Sequence, residues 1–137
     1  MKITPIVLYV DWLRFFSSEK YIVSGVSIFP FIFIHKNLRN TIDGRIKINH
    51  ESIHFYQTLE TFIIGFYLIY AFNFLVNLFK HDWYWAYKNV VFEKEAHINE
   101  RYLDYLWHPY RKRYAWWKLW KWKYYHIGGK NYELYEN

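Results

Sequence analysis

The segment from Thr61 to Phe79, TFIIGFYLIYAFNFLVNLF, holds nineteen consecutive residues without a charge, and it constrains the fold more than any other stretch. Its length approaches the roughly 20 apolar residues that cross a hydrocarbon core. It equally suits one or two short helices buried against other structure, so the surrounding sequence has to decide. From Asn49 to Lys80 there is no proline and one glycine, Gly65, which predicts a long helical region with Asn49 as its N-cap.

The flanking segments add strands before this region and a helix after it. Tyr21 to Lys36 is β-branched and aromatic, with Pro30 placing it at an edge or bulge. Asp43-Gly44 is a strong turn signal and Arg45 to Asn49 alternates, so residues 26–49 are expected as a β-hairpin. Residues 5–17 mix apolar and charged positions and fit a short helix or strand. Asp82 can cap a further helix, expected over about 86–106 and ending before Pro109. The fold class is therefore α+β: mainly α-helical, with a hairpin ahead of a motif helix from 49, an apolar helix over about 66–80, and a later acid-rich helix. A chain of 137 residues fits one domain, taken here as 1–110, followed by a basic aromatic tail over 111–137 that is closed by Gly128-Gly129.

Composition narrows the chemistry. Cysteine is absent, so there is no thiolate nucleophile and any metal must be held by His and carboxylate. The net charge of +6 is concentrated at the tail, because Tyr105 to Tyr132 contains no acid while carrying Arg111, Lys112, Arg113, Lys118, Lys121, Lys123 and Lys130. Trp116, Trp117, Trp120 and Trp122 interleave with these cations, so residues 111–126 are expected at an anionic membrane surface. Nucleic acid, which favours the same mixture, ranks lower because no recognised RNA-binding motif accompanies it. Asp11 and Arg14 interrupt the N-terminal apolar stretch, so a cleavable signal peptide is not expected, and the location expected is membrane-associated or cytoplasmic.

The motif that carries chemistry is His50-Glu51-Ser52-Ile53-His54. Histidines at i and i+4 project from one helix face, where both imidazoles can reach one Zn²⁺, and the Glu after the first ligand is placed to deprotonate a metal-bound water. A catalytic zinc normally takes a third protein ligand. Downstream, Glu93, His97, Glu100 and Asp104 share one helical face, which makes Glu93 the expected third ligand. His97 is then the candidate electrophile for an oxyanion, and Glu100 or Asp104 a hydrogen-bond partner for a ligand imidazole, with Glu95 pointing away.

The segments INHESIHFYQ and AYKNVVFEKEA resemble small bacterial zinc metallopeptidases of the gluzincin clan, over roughly residues 25–106. In larger membrane-bound members of that clan the third ligand opens a Glu-x-x-Ala-Asp motif. Glu93 to Ala96 matches its first four positions, and His97 stands where those relatives have Asp. The resemblance also implies a strand ahead of the motif helix that pairs with extended substrate, here Ile28 to Ile34.

A single metal site bears on the apolar run. In one straight helix His54 and Phe79 would lie about 37 Å apart, and fourteen returning residues cover only about 21 Å, so Glu93 could not come back to His54 without an extended bridge. A bend between Gly65 and Asn73 removes the conflict and disfavours a straight span. The function expected is a zinc metallopeptidase, a hydrolase acting on a peptide or protein with one Zn²⁺. The rivals are a non-hydrolytic protein stabilised by zinc, and a basic aromatic membrane or nucleic-acid adaptor in which the motif is accidental.

Overall fold

The computed structural model describes residues 3–17, 22–107, 111–127 and 131–136. Its architecture is α+β and mainly helical, with a small sheet preceding the helices. Strand β1 (Ile6–Val10) runs parallel to β3 (Phe31–His35), and β2 (Gly25–Ile28) pairs antiparallel with β3 across the turn at Phe29-Pro30. Among the described residues strand β3 is central and β2 is an edge, which corrects the edge expected at Ile28 to Ile34. Pro30, which has no N–H to give, falls in the turn and removes nothing from the ladder. Alternation turns Ile32 and Ile34 inward to full burial.

The hairpin expected over 26–49 is shorter, closing at His35, because Asp43-Gly44 is the start of a helix rather than a turn. Helix α1 (Ile42–Glu60) has Thr41 as its N-cap, whose hydroxyl accepts from the Gly44 N–H at 2.9 Å. Gly44 is demanded by crowding, since a Cβ there would lie 2.0 Å from the Leu38 carbonyl oxygen. Asn49 is consequently mid-helix and is not the N-cap of α1. Its side-chain amide donates to the carbonyls of Asn99, Glu100 and Tyr102 at 3.2, 2.9 and 3.0 Å, tying α1 to the far end of the acid-rich helix.

The chain turns through 111° between α1 and α2 (Ile64–Leu78). The bend lies earlier than expected: Phe62 and Ile63 carry positive φ of 57° and 67°, and α2 continues through Asn73. The corner is held by the Ile63 N–H on Thr58 O at 2.8 Å and by the Thr61 hydroxyl on Gln57 O at 2.8 Å. Among the described residues no single helix is long and apolar enough to cross a membrane.

Two helices replace the single one expected over 86–106. Helix α3 (Trp83–Lys88) is capped by Asp82, which accepts from the Trp85 N–H at 2.9 Å. Val90 is extended, and α4 (Val91–Asn99) begins afresh with its first N–H donated to Asn73 Oδ1 of α2 at 2.7 Å. Phe66, Val90, Val91, Phe92 and Trp116 form a shared core, in which Phe66 stacks on Phe92 at 4.7 Å.

The first part of the expected tail belongs to this core. Arg111 is buried between Glu60 and Glu95, and the 3-10 segment Ala115–Lys121 lays Trp116 on Phe92 at 4.9 Å. Beyond it β4 (Trp122–Ile127) and β5 (Asn131–Glu136) pair as an antiparallel ribbon. The Trp122 side chain, Pro109 and Gly128-Gly129 lie outside the described residues.

Candidate metal centre

Helix α1 packs against the sheet on one side and α4 on another, so residues near its middle are buried, and these are the motif residues. His50, His54 and Glu93 are 1%, 4% and 4% exposed, which for three ionisable groups demands mutual compensation. They compensate each other. His50 Nε2 lies 3.2 Å from His54 Nε2 and 3.2 Å from Glu93 Oε2, while His54 Nε2 lies 3.1 Å from Glu93 Oε1. The structure thus brings together the three residues expected as ligands.

The opposite face of each imidazole fixes its protons. His50 Nδ1 is 2.7 Å from Glu100 Oε2, so it donates to that carboxylate. His54 Nδ1 is 2.8 Å from Gln57 Oε1, and the Gln57 amide is itself oriented, because its Nε2 donates to Phe92 O at 3.1 Å and Glu95 Oε2 at 2.8 Å. With both Nδ1 atoms protonated, the neutral imidazoles aim two Nε2 lone pairs at each other and at the Glu93 carboxylate. Three acceptors facing one point require a cation, either a proton or a metal.

The metal fits. Donors held about 2.0 to 2.1 Å from a tetrahedral ion are about 3.3 Å apart, close to the separations of 3.1 to 3.2 Å here. Among the described residues Glu93 Oε2 is buried with no hydrogen-bond partner, although His50 Nε2 and His97 Nδ1 lie within 3.3 Å. Tyr70 donates its hydroxyl to the other oxygen, Oε1, at 2.9 Å and fixes the carboxylate's orientation. Without a metal a proton takes the place: burial would lower the pKa of His54, but the Glu93 carboxylate overrides it and raises the value to about 9. Burial likewise disfavours the Glu93 anion, yet the charge of His54 and the contacts with His50, His54 and His97 hold it well below the usual range.

Glu51 lies beside this triad on a cavity of about 270 Å³ lined by Lys47, Glu51, His54, Tyr70, Tyr87 and Glu93, with Gly25 to Ser27 of the β2 edge along its wall. Lys47, one turn before Glu51, pairs with Glu51 Oε1 at 3.1 Å. Burial opposes ionisation of Glu51, but Lys47 first, then His50 and His54, hold its pKa low. Lys47 has its own pKa raised against burial by Glu51, Glu93 and Glu100. Gly25 makes room for it: a Cβ there would meet Lys47 Cγ and Cε at 2.9 Å.

The remaining expectations divide. Glu100 takes the orienting role offered to it. Asp104 does not, because α4 ends at Asn99 and Asp104 lies exposed in the turns beyond. His97 lines a neighbouring cavity with Lys47 and Tyr87, not the one holding Glu51, and its Nδ1 donates to the Glu93 carbonyl at 2.9 Å. Its ring stands edge-on to His50 at 4.6 Å and packs against that imidazole. Glu95 points away from the donors, as expected, but into Gln57, Tyr105 and Arg111. Lys47, Gln57, Tyr70 and Tyr87 were missed. Lys47 alone had a sequence signal, since i, i+4 pairing with Glu51 is readable once a helix through both is known. No family model, curated protein or solved structure matches this chain.

Proposed function

We propose that the chain is a zinc-dependent peptidase in which His50, His54 and Glu93 hold one Zn²⁺ and Glu51 is the general base. The observation that carries this reading is the convergence of three buried lone-pair donors, spaced for a tetrahedral ion, beside an ionised carboxylate that opens on a cavity. The cysteine-free His and carboxylate set favours zinc among the common catalytic ions. Bound there, zinc supplies a polarised carbonyl and a water acidic enough to be deprotonated near neutral pH.

The chain's own residues supply the rest. Lys47 occupies one oxygen of Glu51 and keeps the group anionic, so the other oxygen is left to take the water proton and return it to the leaving amine. Burial and the nearby Glu93 keep Tyr70 and Tyr87 protonated, as hydroxyl donors on the cavity wall. Strand β2, an edge among the described residues, borders the same cavity, which lets an extended peptide add to the sheet and present a carbonyl to the site. The likeness of the motif and of Glu93 to Ala96 to gluzincin peptidases supports the same assignment.

A second reading, zinc as a structural staple without hydrolysis, is favoured by one feature, the pairing of Lys47 with one oxygen of Glu51. Glu51→Gln separates the two. Under the peptidase reading it retains zinc and abolishes cleavage of a peptide library, whereas the staple reading gives no chelator-sensitive cleavage in either protein.

A further inference from the structure

Helix α2 is built inside out. Its polar residues, Asn73 and Asn77, face inward, where Asn73 Oδ1 accepts from the Val91 N–H at 2.7 Å and the Asn77 amide donates to Ala86 O at 3.0 Å. Its outward residues are Ile64, Leu68, Phe72, Leu75 and Phe79, exposed by 70%, 66%, 68%, 58% and 91%. At about 100° per residue these five fall within an arc of about 80°, opposite the two asparagines. A helix facing water carries the reverse pattern. Singly exposed apolar residues are ordinary, but an unbroken stripe marks an interaction surface.

The surroundings of the stripe identify its occupant. The 3-10 segment Ala115–Lys121 packs through Trp116 and Leu119 on the same cluster as Phe66, Ile69, Tyr70 and Phe74 of α2, and its Trp117 and Lys118 are exposed. Lys80 is exposed directly after Phe79, and Trp83, 66% exposed, stands against Phe74 at 4.8 Å. An indole ring and a cation at the end of an apolar stripe match the interfacial zone of an anionic bilayer. A second copy of this chain, also at +6, would bring like charge against the same cations. Fifteen residues make a helix of about 22 Å, too short to span, so the contact lies in the plane of the interface.

We propose that the outward face of α2 inserts into the headgroup and acyl boundary of an anionic lipid bilayer. Tyr67 and Ala71 of α2 also line the cavity beside Glu51, so docking brings that cavity to the lipid surface. This last consequence rests on the peptidase reading; the docking itself does not depend on metal or activity.

The test is flotation of the full chain with phosphatidylcholine vesicles made with and without phosphatidylglycerol. The wild-type chain is expected to float with the anionic vesicles. Leu68→Asp combined with Phe72→Asp, both on the exposed stripe, should keep its circular dichroism and zinc content while vesicle partition falls about tenfold or more. Lys80→Glu with Lys118→Glu should weaken binding to anionic vesicles selectively. Equal flotation of the Leu68/Phe72 variant would overturn the proposal. So would failure of the wild-type chain to float, a dimer in light scattering that the same variant dissolves, or retention on single-stranded RNA without flotation.

Discussion

Gln57 and Glu100 decide which nitrogen His54 and His50 turn toward Glu93. Partners of this kind typically contribute 10- to 100-fold to metal affinity, so Gln57→Ala and Glu100→Ala should each raise the zinc Kd by about that factor in chelator competition, with the fold intact. The proton that replaces the metal makes a second prediction. His54 titrates near 6.5 when unfolded and at about 9 in the folded, metal-free chain, so the folded state binds that proton more tightly. The resulting stabilisation is complete below about pH 6.5 and disappears as pH rises through 9. The thermal midpoint of the metal-free protein should therefore fall across that window, while zinc affinity rises as the competing proton leaves. At this scale the convergence of His50, His54 and Glu93 was legible, because two histidines one turn apart and an acid-rich helix downstream leave few arrangements. Gln57 and Tyr70 were not, because an amide and a phenol in an apolar helix look no different whether they orient a ligand or fill space.

At the scale of elements, the corner and the break carry the geometry. A bend was expected between Gly65 and Asn73 because a straight helix could not return Glu93 to His54, but neither its position nor its 111° was readable: the chain makes the corner with Phe62 and Ile63 at positive φ, where a glycine would ordinarily advertise it. Phe62 is 88% exposed, so its side chain contributes little packing. Phe62→Gly should leave stability unchanged or raise it by up to about 1 kcal/mol, and Phe62→Val should lower it by about 1 kcal/mol in denaturant unfolding. Asp43-Gly44 misled for a related reason. A glycine needed because Leu38 O approaches the helix start reads the same in sequence as one needed for a turn. Asn73 shows what a buried amide can do between elements: Asn73→Ala leaves the Val91 N–H buried and unpaired two residues before Glu93, at a cost of about 1 to 3 kcal/mol, with zinc affinity reduced alongside.

Across the whole molecule the basic segment is divided between core and surface. The Arg111 side chain is 7% exposed and bridges Glu60, at the end of α1, to Glu95, which in turn holds Gln57 and through it His54. Composition made this residue look like one more surface cation; its acidic partners lie 51 and 16 positions away and only the fold unites them. Arg111→Met should destabilise the chain by about 3 to 5 kcal/mol by stranding two buried carboxylates. The central claim is that His50, His54 and Glu93 form one zinc site, and metal analysis of the purified chain tests it most directly. It should carry about one zinc per chain, lost in His54→Ala and Glu93→Ala and retained in Glu95→Gln. A folded chain that takes up no zinc, or that keeps it when Glu93 is replaced, would contradict the account.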